Sequence, residues 1–537
     1  MIRKPTRSGL HAPGEGALKV TGNRFPQPVA TLSGMSNGHD TDAAERLKAA
    51  TEILESVVRD RGLLGALSIE ERTRLLSAAG DVHNPDIVQR RLWAKSLRKR
   101  EKAAKLERDE SALAETGIRV LREKPVYTTP NVVPPEEFQQ ADVDDEPEFR
   151  ELIDPQHCYV CKQRYTDVHP FYDQLCIACG DFNFAKRAET ADLRGRVALL
   201  TGGRVKIGYQ AGIKLLRAGA HLIVTTRFPR DAATRYAQEA DFDEWGDRLE
   251  IFGLDLRHTP SVEGLCEHLR TTRGRLDFIV NNACQTVRRP SDFYKHMLEA
   301  ERASERTMPH ELQSVLGEFE GLRRTEILPA TPLPLGVTHS AELSQVALLP
   351  EDLAGQGDLF PEGRLDQDLQ QVDLRERNSW RLLLAEVSSV ELLETQLVNA
   401  VAPFILNARL KPLMLRTPNR DKHIVNVSAV EGQFYRKFKT TRHPHTNMAK
   451  AALNMMTRTS AADYYADGIH MNSVDTGWVS DEDPLHIAER KEAEHRFRPP
   501  LDIVDGAARI VDPIIDGINS GEHVWGVFLK DFRPTDW

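Results

Sequence analysis

The segment from residue 195 to residue 227 constrains the fold more than any other part of this 537-residue chain. Its sequence is GRVALLTGGRVKIGYQAGIKLLRAGAHLIVTTR, which has the order of a strand, a glycine loop, a helix and a second strand. In this βαβ context a glycine loop brings backbone amides at the helix N-terminus close to a bound pyrophosphate. The sequence therefore predicts an α/β fold with a doubly wound, parallel Rossmann sheet, which we place at residues 190–537.

The part of the chain before this domain divides into three by composition. Residues 1–40 are rich in Gly, Pro and Ser without apolar periodicity, so we expect disorder there. Residues 41–125 carry helical periodicity, and residues 126–154 form a proline-rich, acidic segment that indicates a linker. One predicted helix carries nine Lys or Arg and three acids between residues 88 and 109. We interpret it as a solvated helix with ion pairs rather than a nucleic-acid surface, because it offers a single aromatic residue for stacking.

Two Cys-x-x-Cys pairs separated by 14 residues lie next, and they comprise Cys158, Cys161, Cys176 and Cys179. Each pair can present two thiolates from one tight turn, so together they can supply the four sulfurs of a closed, structural zinc site. A thioredoxin-like redox pair and an iron–sulfur cluster are the alternatives. We predict a small zinc-ribbon-like module at residues 155–187, which is too short to fold on apolar burial alone.

Charge and hydropathy exclude other classes of protein. The net charge of −9 gives no general attraction for nucleic acid or anionic lipid. The chain contains no run of 18 apolar residues, and its N-terminus lacks the apolar stretch of a secretory signal. We therefore expect a cytoplasmic protein with neither a nucleic acid nor a membrane as its partner.

The Rossmann segment resembles the short-chain dehydrogenase/reductase family, whose TGxxxGxG motif matches Thr201, Gly202 and Gly208. Lys206 replaces the middle glycine, so it must either displace the loop or place its charge on a phosphate, and we favour the second. Further motifs follow in the order that the family has. The resemblance implies that the remaining cofactor contacts come from Asp255, Asn282, Ala283, Lys450 and Gly477.

The end of the second strand indicates the cofactor. Members of the family that are specific for NAD have an acid there, which binds the ribose hydroxyls, whereas this chain has Thr226 followed by Arg227. The planar donor fork of an arginine suits a 2′-phosphate. The predicted cofactor is therefore NADP, with NAD as the alternative.

The catalytic positions depart from the family. The resemblance implies that Asn399 and Lys450 are catalytic, but Thr446 stands where the family has a tyrosine, four residues before the lysine. Ala429 stands where the family has its substrate-polarising serine. An alkyl hydroxyl is a far weaker acid than a phenol, and alanine has no donor at all. The sequence therefore predicts an atypical active site.

Two histidines are candidates for the missing acid. His443 precedes Lys450 by seven residues, a spacing that resembles the Tyr-x6-Lys of enoyl reductases in the same family. His445 lies two residues after His443. A histidine titrates near neutrality, although both could equally belong to a histidine-rich surface turn. Tyr435 and Lys439 form a Tyr-x3-Lys match of their own, but they fall in a predicted loop, so we interpret that match as accidental.

An insert at about residues 287–373 separates two of these motifs. Asn282 and Asn399 are 399 − 282 = 117 residues apart, where the family needs a few tens. The insert begins with a helical pattern and continues as a proline-rich loop. It either covers the pocket as a lid or binds another protein.

These features together predict an NADP-dependent oxidoreductase that transfers a hydride to a carbonyl, imine or activated alkene. The substrate is a small molecule that the sequence does not identify. The alternative is a non-catalytic scaffold or sensor that binds the dinucleotide, and the loss of the tyrosine and the serine favours it. We expect a homo-oligomer, with the insert or the zinc module as the surface for any protein partner.

Overall fold

The computed structural model describes residues 37–127, 129, 151–302, 308–317, 340–353, 355–435, 439–496 and 498–537. Most of the predicted disordered segment, most of the predicted linker and the middle of the predicted insert lie outside the described residues. By its internal contacts the chain divides into two units, Met1–Arg100 and Glu101–Trp537.

The first unit is helical throughout its described part. It contains α1 (Asn37–Arg59) and α2 (Ile69–His83), and α3 (Ile87–Ala114) begins in it. Ser68 determines where α2 starts, because its hydroxyl accepts a hydrogen bond from the Glu71 amide at 3.2 Å while its own amide donates to the Glu71 carboxylate at 3.0 Å. This reciprocal pair satisfies two amides that the first helical turn leaves without partners.

The second unit is built from a two-stranded sheet, an eight-stranded sheet and the helices around them. Its strands are β1 (Glu151–His157), β2 (Arg164–Asp167), β3 (Val197–Thr201), β4 (His221–Thr226), β5 (Leu249–Gly253), β6 (Phe278–Asn281), β7 (Lys422–Ser428), β8 (Ile469–Asp475), β9 (Phe528–Lys530) and β10 (Arg533–Thr535). Its helices are α4 (Gly117–Glu123), α5 (Ile177–Ala188), α6 (Lys206–Arg217), α7 (Pro229–Ala237), α8 (Phe242–Trp245), α9 (Thr259–Thr272), α10 (Lys295–Arg302), α11 (His310–Val315), α12 (Ser340–Leu343), α13 (Ser389–Gln396), α14 (Ala402–Met414), α15 (Pro444–Ala466), α16 (Leu485–His495) and α17 (Ile503–Ser520).

The large sheet has the strand order β10-β9-β8-β7-β6-β3-β4-β5. All pairs from β5 to β9 are parallel, and β10 runs antiparallel to its neighbour β9. The chain therefore starts at β3, builds outward to β5, and crosses back to β6 on the other side of β3. This reversal creates a crevice at the carboxyl ends of the strands, and it confirms the predicted doubly wound Rossmann sheet.

Apolar side chains cover both faces of the sheet. Leu199 and Leu200 are neighbours on β3 and point to opposite faces, as the period of two in a strand requires. Leu200 packs with Ile510 and the other apolar residues of α6 and α17, whereas Leu199 packs with Leu406 and the residues of α9, α14 and α15. Near-continuous apolar strands are expected where helices cover both faces of a parallel sheet.

The cysteine segment packs directly against the Rossmann domain. It consists of the β1–β2 hairpin and α5, and its apolar core includes Leu501 of the domain. Arg187 of α5 forms a buried ion pair with Asp502 at 2.6 Å, and the Tyr172 hydroxyl donates to Asp505 at 2.5 Å. Both carboxylates lie at the start of α17, so the module is anchored to a helix that also covers the sheet.

The described part of the predicted insert closes over the end of β4. Phe293, Tyr294 and Met297 form a buried cluster with Phe228, which follows β4, and with Phe360 from farther along the insert. The insert therefore forms one wall of the crevice at the carboxyl edge of the sheet.

One helical stretch among the described residues, Ser389–Met414, is long and apolar enough to cross a membrane by length and composition alone. It comprises α13, a π-helical turn and α14, and α14 packs against α9 beside the sheet. Ala402, Leu406, Leu410, Leu413 and Met414 of this stretch belong to the core of the Rossmann domain, whereas Leu393 and Phe404 are exposed.

Candidate functional site

A cavity of about 1170 Å³ lies at the carboxyl ends of the parallel strands, where doubly wound sheets bind their ligands. The predicted residues that line it are Gly202, Lys206, Gly208, Arg227, Asp255, Asn282, Ala283, His443, Lys450 and Gly477. The other predicted residues, Thr201, Asn399 and His445, are buried behind this surface. The cysteine module adds Tyr159, Lys162 and Gln174 to the lining.

Two glycines in and just after the turn between β3 and α6 are packed too tightly to carry a side chain. Gly202 has a φ of +70°, and a Cβ on it would lie 2.9 Å from the Cα of Ala283. A Cβ on Gly208 would lie 2.2 Å from the Gly202 carbonyl oxygen. The Asn282 side chain donates to the carbonyls of Thr201 and Gly202 at 3.0 and 3.1 Å, which fixes the turn against β6. The turn thus brings the N-terminus of α6 to the cavity.

Lys206, which replaces the family's middle glycine, begins α6 with a φ of +55°. That value lies in the left-handed region that glycine favours, so the loop keeps its glycine-type conformation at this position. Burial alone would lower the pKa of Lys206, but Glu482 and the insert residues Asp368 and Asp366 outweigh it and raise the pKa. Lys206 is therefore a charged residue at the N-terminus of α6.

Arg227 is held in place by the insert. Its Nη2 donates to the Tyr294 hydroxyl at 2.7 Å, and its guanidinium lies 4.6 Å from the centre of the Tyr294 ring. The Arg227 carbonyl accepts a hydrogen bond from Ser340 at 2.8 Å. Both partners belong to the segment predicted as an insert, so the insert orients the residue that we expect to select the cofactor.

The Asp255 carboxylate is already paired within the protein. Arg257 Nη2 donates to it at 2.7 Å, and Arg257 Nη1 donates to Glu394 at 2.9 Å. Although burial alone would raise the pKa of Asp255, the Arg257 guanidinium lowers it below its ordinary value. Asp255 lines the cavity as a charged group that is already paired with Arg257, so it is less free to contact a cofactor than the resemblance implied.

Asn399 lies in the π-helical turn Leu397–Val401 between α13 and α14. Its Oδ1 accepts from the Gln285 amide at 2.7 Å and its Nδ2 donates to the Gln285 carbonyl at 3.0 Å. A π-turn inside a helix is uncommon and often marks a functional site. Here the π-turn positions the Asn399 side chain to hold the segment after β6 through its two hydrogen bonds to Gln285. The Asn399 side chain is not part of the cavity lining.

Lys450 projects from α15 into the cavity beside the end of β7. Its ammonium donates to the Val427 carbonyl at 2.8 Å, and Ser428 and Ala429 lie next along the lining. Thr446 is one turn away on the same helix, but it is buried outside the lining, and its hydroxyl has no hydrogen-bond partner among the described residues. At the position of the family's tyrosine this chain therefore has no phenol, and the hydroxyl that it has there does not line the cavity.

The two candidate histidines have different surroundings. His443 lines the cavity and stacks on Trp380 with ring centres 3.8 Å apart, and its φ of +43° places the ring at the start of α15. Burial lowers the pKa of His443 to about 4, so its ring is neutral at physiological pH. His445 faces Glu391 at 3.7 Å, away from the cavity lining. The structure brings only the first histidine to the site.

The sequence analysis missed several polar residues of the cavity. Asp475 ends β8, pairs in register with Ser428, and accepts a hydrogen bond from the Val430 amide at 3.2 Å. Burial raises the pKa of Asp475 to about 6, although Lys530 acts in the opposite direction. The sequence signal was a carboxylate two residues before Gly477, which the resemblance assigns to the cofactor site.

Tyr435 and Lys439, whose spacing we interpreted as accidental, also line the cavity. They lie in the loop between β7 and α15, and the residues 436–438 between them are outside the described part of the chain. Lys439 donates to the Glu431 carbonyl, and Tyr435 is half-exposed. Asn447 on α15 completes this polar wall.

The four predicted metal ligands converge. The sulfurs of Cys158, Cys161, Cys176 and Cys179 all lie within 4.8 Å of one another. Cys161 and Cys176 are 3.7 Å apart, close to the separation of about 3.8 Å that two thiolates have on a tetrahedral zinc ion. Cys176 and Cys179 lie at the start of α5, and Cys158 directly follows β1. The donor set fits a closed metal site.

Two family models match the second unit. The model described as short chain dehydrogenase matches residues 196–316, and the model described as enoyl-(acyl carrier protein) reductase matches residues 379–501. Between them lies most of the segment predicted as an insert. The two matches together include the glycine turn, the π-turn and Lys450.

Several curated proteins match parts of the chain. The chain is 32% identical over 371 residues to the uncharacterized protein R665 of Acanthamoeba polyphaga mimivirus, a match that covers 66% of this chain and 71% of that protein. It is 34% identical over 91 residues to the 3beta-hydroxysteroid dehydrogenase 2 of Eggerthella lenta, covering 17% of this chain and 34% of that enzyme. It is 29% identical over 98 residues to a fatty acyl-CoA reductase of Acinetobacter baylyi, covering 18% of this chain and 32% of that enzyme.

Among solved structures, the RhlG/NADP complex of Pseudomonas aeruginosa is 17% identical, with a TM-score of 0.39, and the match covers 63% of this chain and 95% of that one. A short chain dehydrogenase of Burkholderia cenocepacia in complex with NADP is also 17% identical, with a TM-score of 0.39, covering 63% of this chain and 96% of that one. The two matching family models, together with the sheet order and the glycine turn, establish that this chain belongs to the short-chain dehydrogenase family.

Proposed function

We propose that this protein binds NADP(H) at the carboxyl edge of its sheet and transfers a hydride to a carbonyl, imine or activated alkene. The observation that carries the proposal is the cavity itself, which places the tight glycine turn and Arg227 along one wall and Lys450 on another. Gly202 and Gly208 leave no room for side chains, which is the condition for a close backbone approach to a pyrophosphate.

The preference for NADP rests on Arg227. Its guanidinium is oriented by Tyr294 and lines the cavity at the end of β4, where an acid would be needed to select NAD. A 2′-phosphate there would gain a charge-assisted contact. Lys206 adds a second positive charge at the N-terminus of α6, on the side where the pyrophosphate would lie.

Asp475 is the strongest candidate for the proton donor in a reduction. A general acid works best with a pKa near the working pH, and burial raises the pKa of Asp475 to about 6. His443 is a poorer acid because burial keeps it neutral, with a pKa lowered to about 4. When bound, the reduced cofactor supplies the hydride. In this proposal Lys450 fixes the end of β7 through the Val427 carbonyl, and Asp475 delivers the proton.

The cysteine cluster is proposed to hold one structural zinc ion. Four sulfurs at mutual distances suited to a tetrahedral ion leave no open coordination position, so the metal would stabilise the module and take no part in the reaction. Since the module also contributes Tyr159 to the cavity, the metal would support the site indirectly.

A single-turnover experiment tests the catalytic part of the proposal. Protein loaded with NADPH is mixed with fractions of a cell extract separated by size, and the absorbance of the reduced nicotinamide is followed. We expect one small-molecule fraction to oxidise bound NADPH faster than buffer does. In that fraction Asp475→Asn should slow the reaction by about a hundredfold or more, because a positioned general acid contributes roughly that factor. The exposed Asp247→Asn variant is the matched control and should react at the unmodified rate.

The second candidate function is a scaffold or sensor that binds the dinucleotide without reacting. It is favoured by Thr446 and Ala429, which leave the family's two proton-handling positions without a usable group. If no fraction oxidises bound NADPH faster than buffer, while the loaded protein binds a partner that the unloaded protein does not, the scaffold function replaces the enzyme.

A further inference from the structure

Three histidines meet at the amino-terminal edge of the large sheet, the edge opposite the cofactor cavity. His423 is the second residue of β7 and His470 the second residue of β8, and the two are paired in register. His523 follows α17 in the loop that leads into β9. None of these residues belongs to the motifs that define the cofactor site.

The ring nitrogens of the three histidines are close enough to share one ion. Each ring offers a nitrogen within 4.8 Å of the other two, and His423 Nε2 lies 3.0 Å from His523 Nδ1. Two imidazole nitrogens on a tetrahedral zinc ion are separated by about 3.3 Å. His470 uses Nδ1 to bond the Lys422 carbonyl at 3.1 Å, which leaves its Nε2 to coordinate. A backbone carbonyl on the second nitrogen is the usual support of a metal-binding histidine.

The surrounding backbone makes room for this cluster. A Cβ on Gly517 of α17 would lie 2.5 Å from His523 Nδ1 and 3.0 Å from His423 Cε1. The three atoms nearest to such a Cβ all belong to these two rings, so the two imidazoles occupy the space that a side chain at Gly517 would need. Any larger residue at this position would push the two rings apart.

The hydrogen bonds that the three rings make within the described part of the protein leave one buried ring nitrogen without a partner. His423 is fully buried, and its Nδ1 has no hydrogen-bond partner among the described residues. The nearby charges of Asp421 and Arg196 are paired with each other at 2.7 Å and do not compete for the rings.

We propose that His423, His470 and His523 form a second zinc site, distinct from the cysteine cluster, with water as the fourth ligand. Neutral imidazoles suit zinc among the divalent ions, and three of them leave one position of a tetrahedral ion open. The ion would tie the loop before β9 to the amino ends of β7 and β8, and so stabilise the far edge of the sheet. This site does not depend on the proposed dinucleotide chemistry.

Metal content of the full, tag-free chain tests the proposal. After equilibration with Zn²⁺ and removal of free ion, we expect two zinc ions per chain in the unmodified protein and one in His523→Ala. His523 is only partly buried, so its truncation should be tolerated by the fold. The exposed His221→Ala variant, at the same edge of the sheet on β4, is the matched control and should keep both ions.

Substitution with Co²⁺ distinguishes the two sites independently of stoichiometry. Cobalt on thiolates gives strong charge-transfer absorption, whereas cobalt on imidazoles and water gives only weak visible bands. His523→Ala should lose the weak bands and keep the strong ones, and Gly517→Ala should do the same because it displaces the rings. A single zinc ion in the unmodified protein, or a second ion that persists in His523→Ala with unchanged cobalt bands, would overturn the proposal.

Discussion

Lys206 occupies the position of a family glycine and still adopts the backbone conformation that glycine favours, with a φ of +55°. A left-handed conformation costs a non-glycine residue roughly 1 to 2 kcal/mol, so the surrounding structure must compensate for it. The acids Glu482, Asp368 and Asp366 raise the pKa of this lysine and hold it charged. The sequence could identify the substitution, but the acids that keep the lysine charged come from distant segments that no local pattern connects to it.

Asp475 gives a prediction about stability. Its pKa in the folded protein is raised to about 6 from an ordinary value of 3.8, so the folded state loses stability as the pH rises between these values. Asp475→Asn removes the buried charge and keeps an acceptor for the Val430 amide. We expect it to raise the free energy of unfolding by up to about 3 kcal/mol at pH 7.5 and by little at pH 4. Denaturant titrations at the two pH values measure the difference, and an equal effect at both would contradict the buried-carboxylate account.

Gly208 gives a prediction about packing. A Cβ there would lie 2.2 Å from the Gly202 carbonyl oxygen, which is backbone and cannot move aside cheaply. Gly208→Ala should destabilise the protein by roughly 1 to 3 kcal/mol and weaken NADPH binding more than tenfold, because the turn must open. Gly274→Ala is the control, since nothing lies within 4 Å of a Cβ at that position. Thermal unfolding and fluorescence titration with NADPH would show whether the two alanines differ as expected.

At the scale of elements, the sequence predicted the parallel sheet well and the loops poorly. Apolar runs such as VALLT and HLIVTT identify buried strands by themselves, and a right-handed crossover then leaves few choices for their order. Tyr435 and Lys439 illustrate the limit, because they lie in a loop and reach the cavity only through tertiary packing. The same holds for Tyr159, which the cysteine module brings to the cavity from a position far away along the chain.

The cysteine module gives the prediction that belongs to this scale. Cys176→Ser removes one of four thiolates, so we expect loss of the zinc ion bound there and unfolding of the β1–β2 hairpin and α5. Because Arg187 and Tyr172 anchor the module to the start of α17, NADPH affinity should fall as well. Elemental analysis and calorimetry report the two effects. The control is Cys284→Ser, which alters a cysteine outside the cluster, so this variant should retain the zinc ion of the cluster. Zinc retained in Cys176→Ser would refute the assignment.

At the scale of the whole molecule, the segment predicted as an insert contributes residues to the candidate cofactor cavity. Tyr294 and Ser340 from the insert fix Arg227, and Asp368 and Asp366 face Lys206. The sequence could locate the insert from the spacing of the flanking motifs, but it left open whether the insert was a lid or a binding surface. In its described part the insert forms a wall of the cavity, so it would take part in the proposed recognition of the cofactor.

Calorimetric titration of the full chain with NADPH and with NADH tests the central claim most directly. The account predicts that NADPH binds tighter by about tenfold to a hundredfold, as one charge-assisted contact to the 2′-phosphate implies. Arg227→Ala should remove most of that difference, and the exposed Arg194→Ala should leave it unchanged. Equal affinities for the two cofactors in the unmodified protein, or a preference that survives Arg227→Ala, would contradict the account.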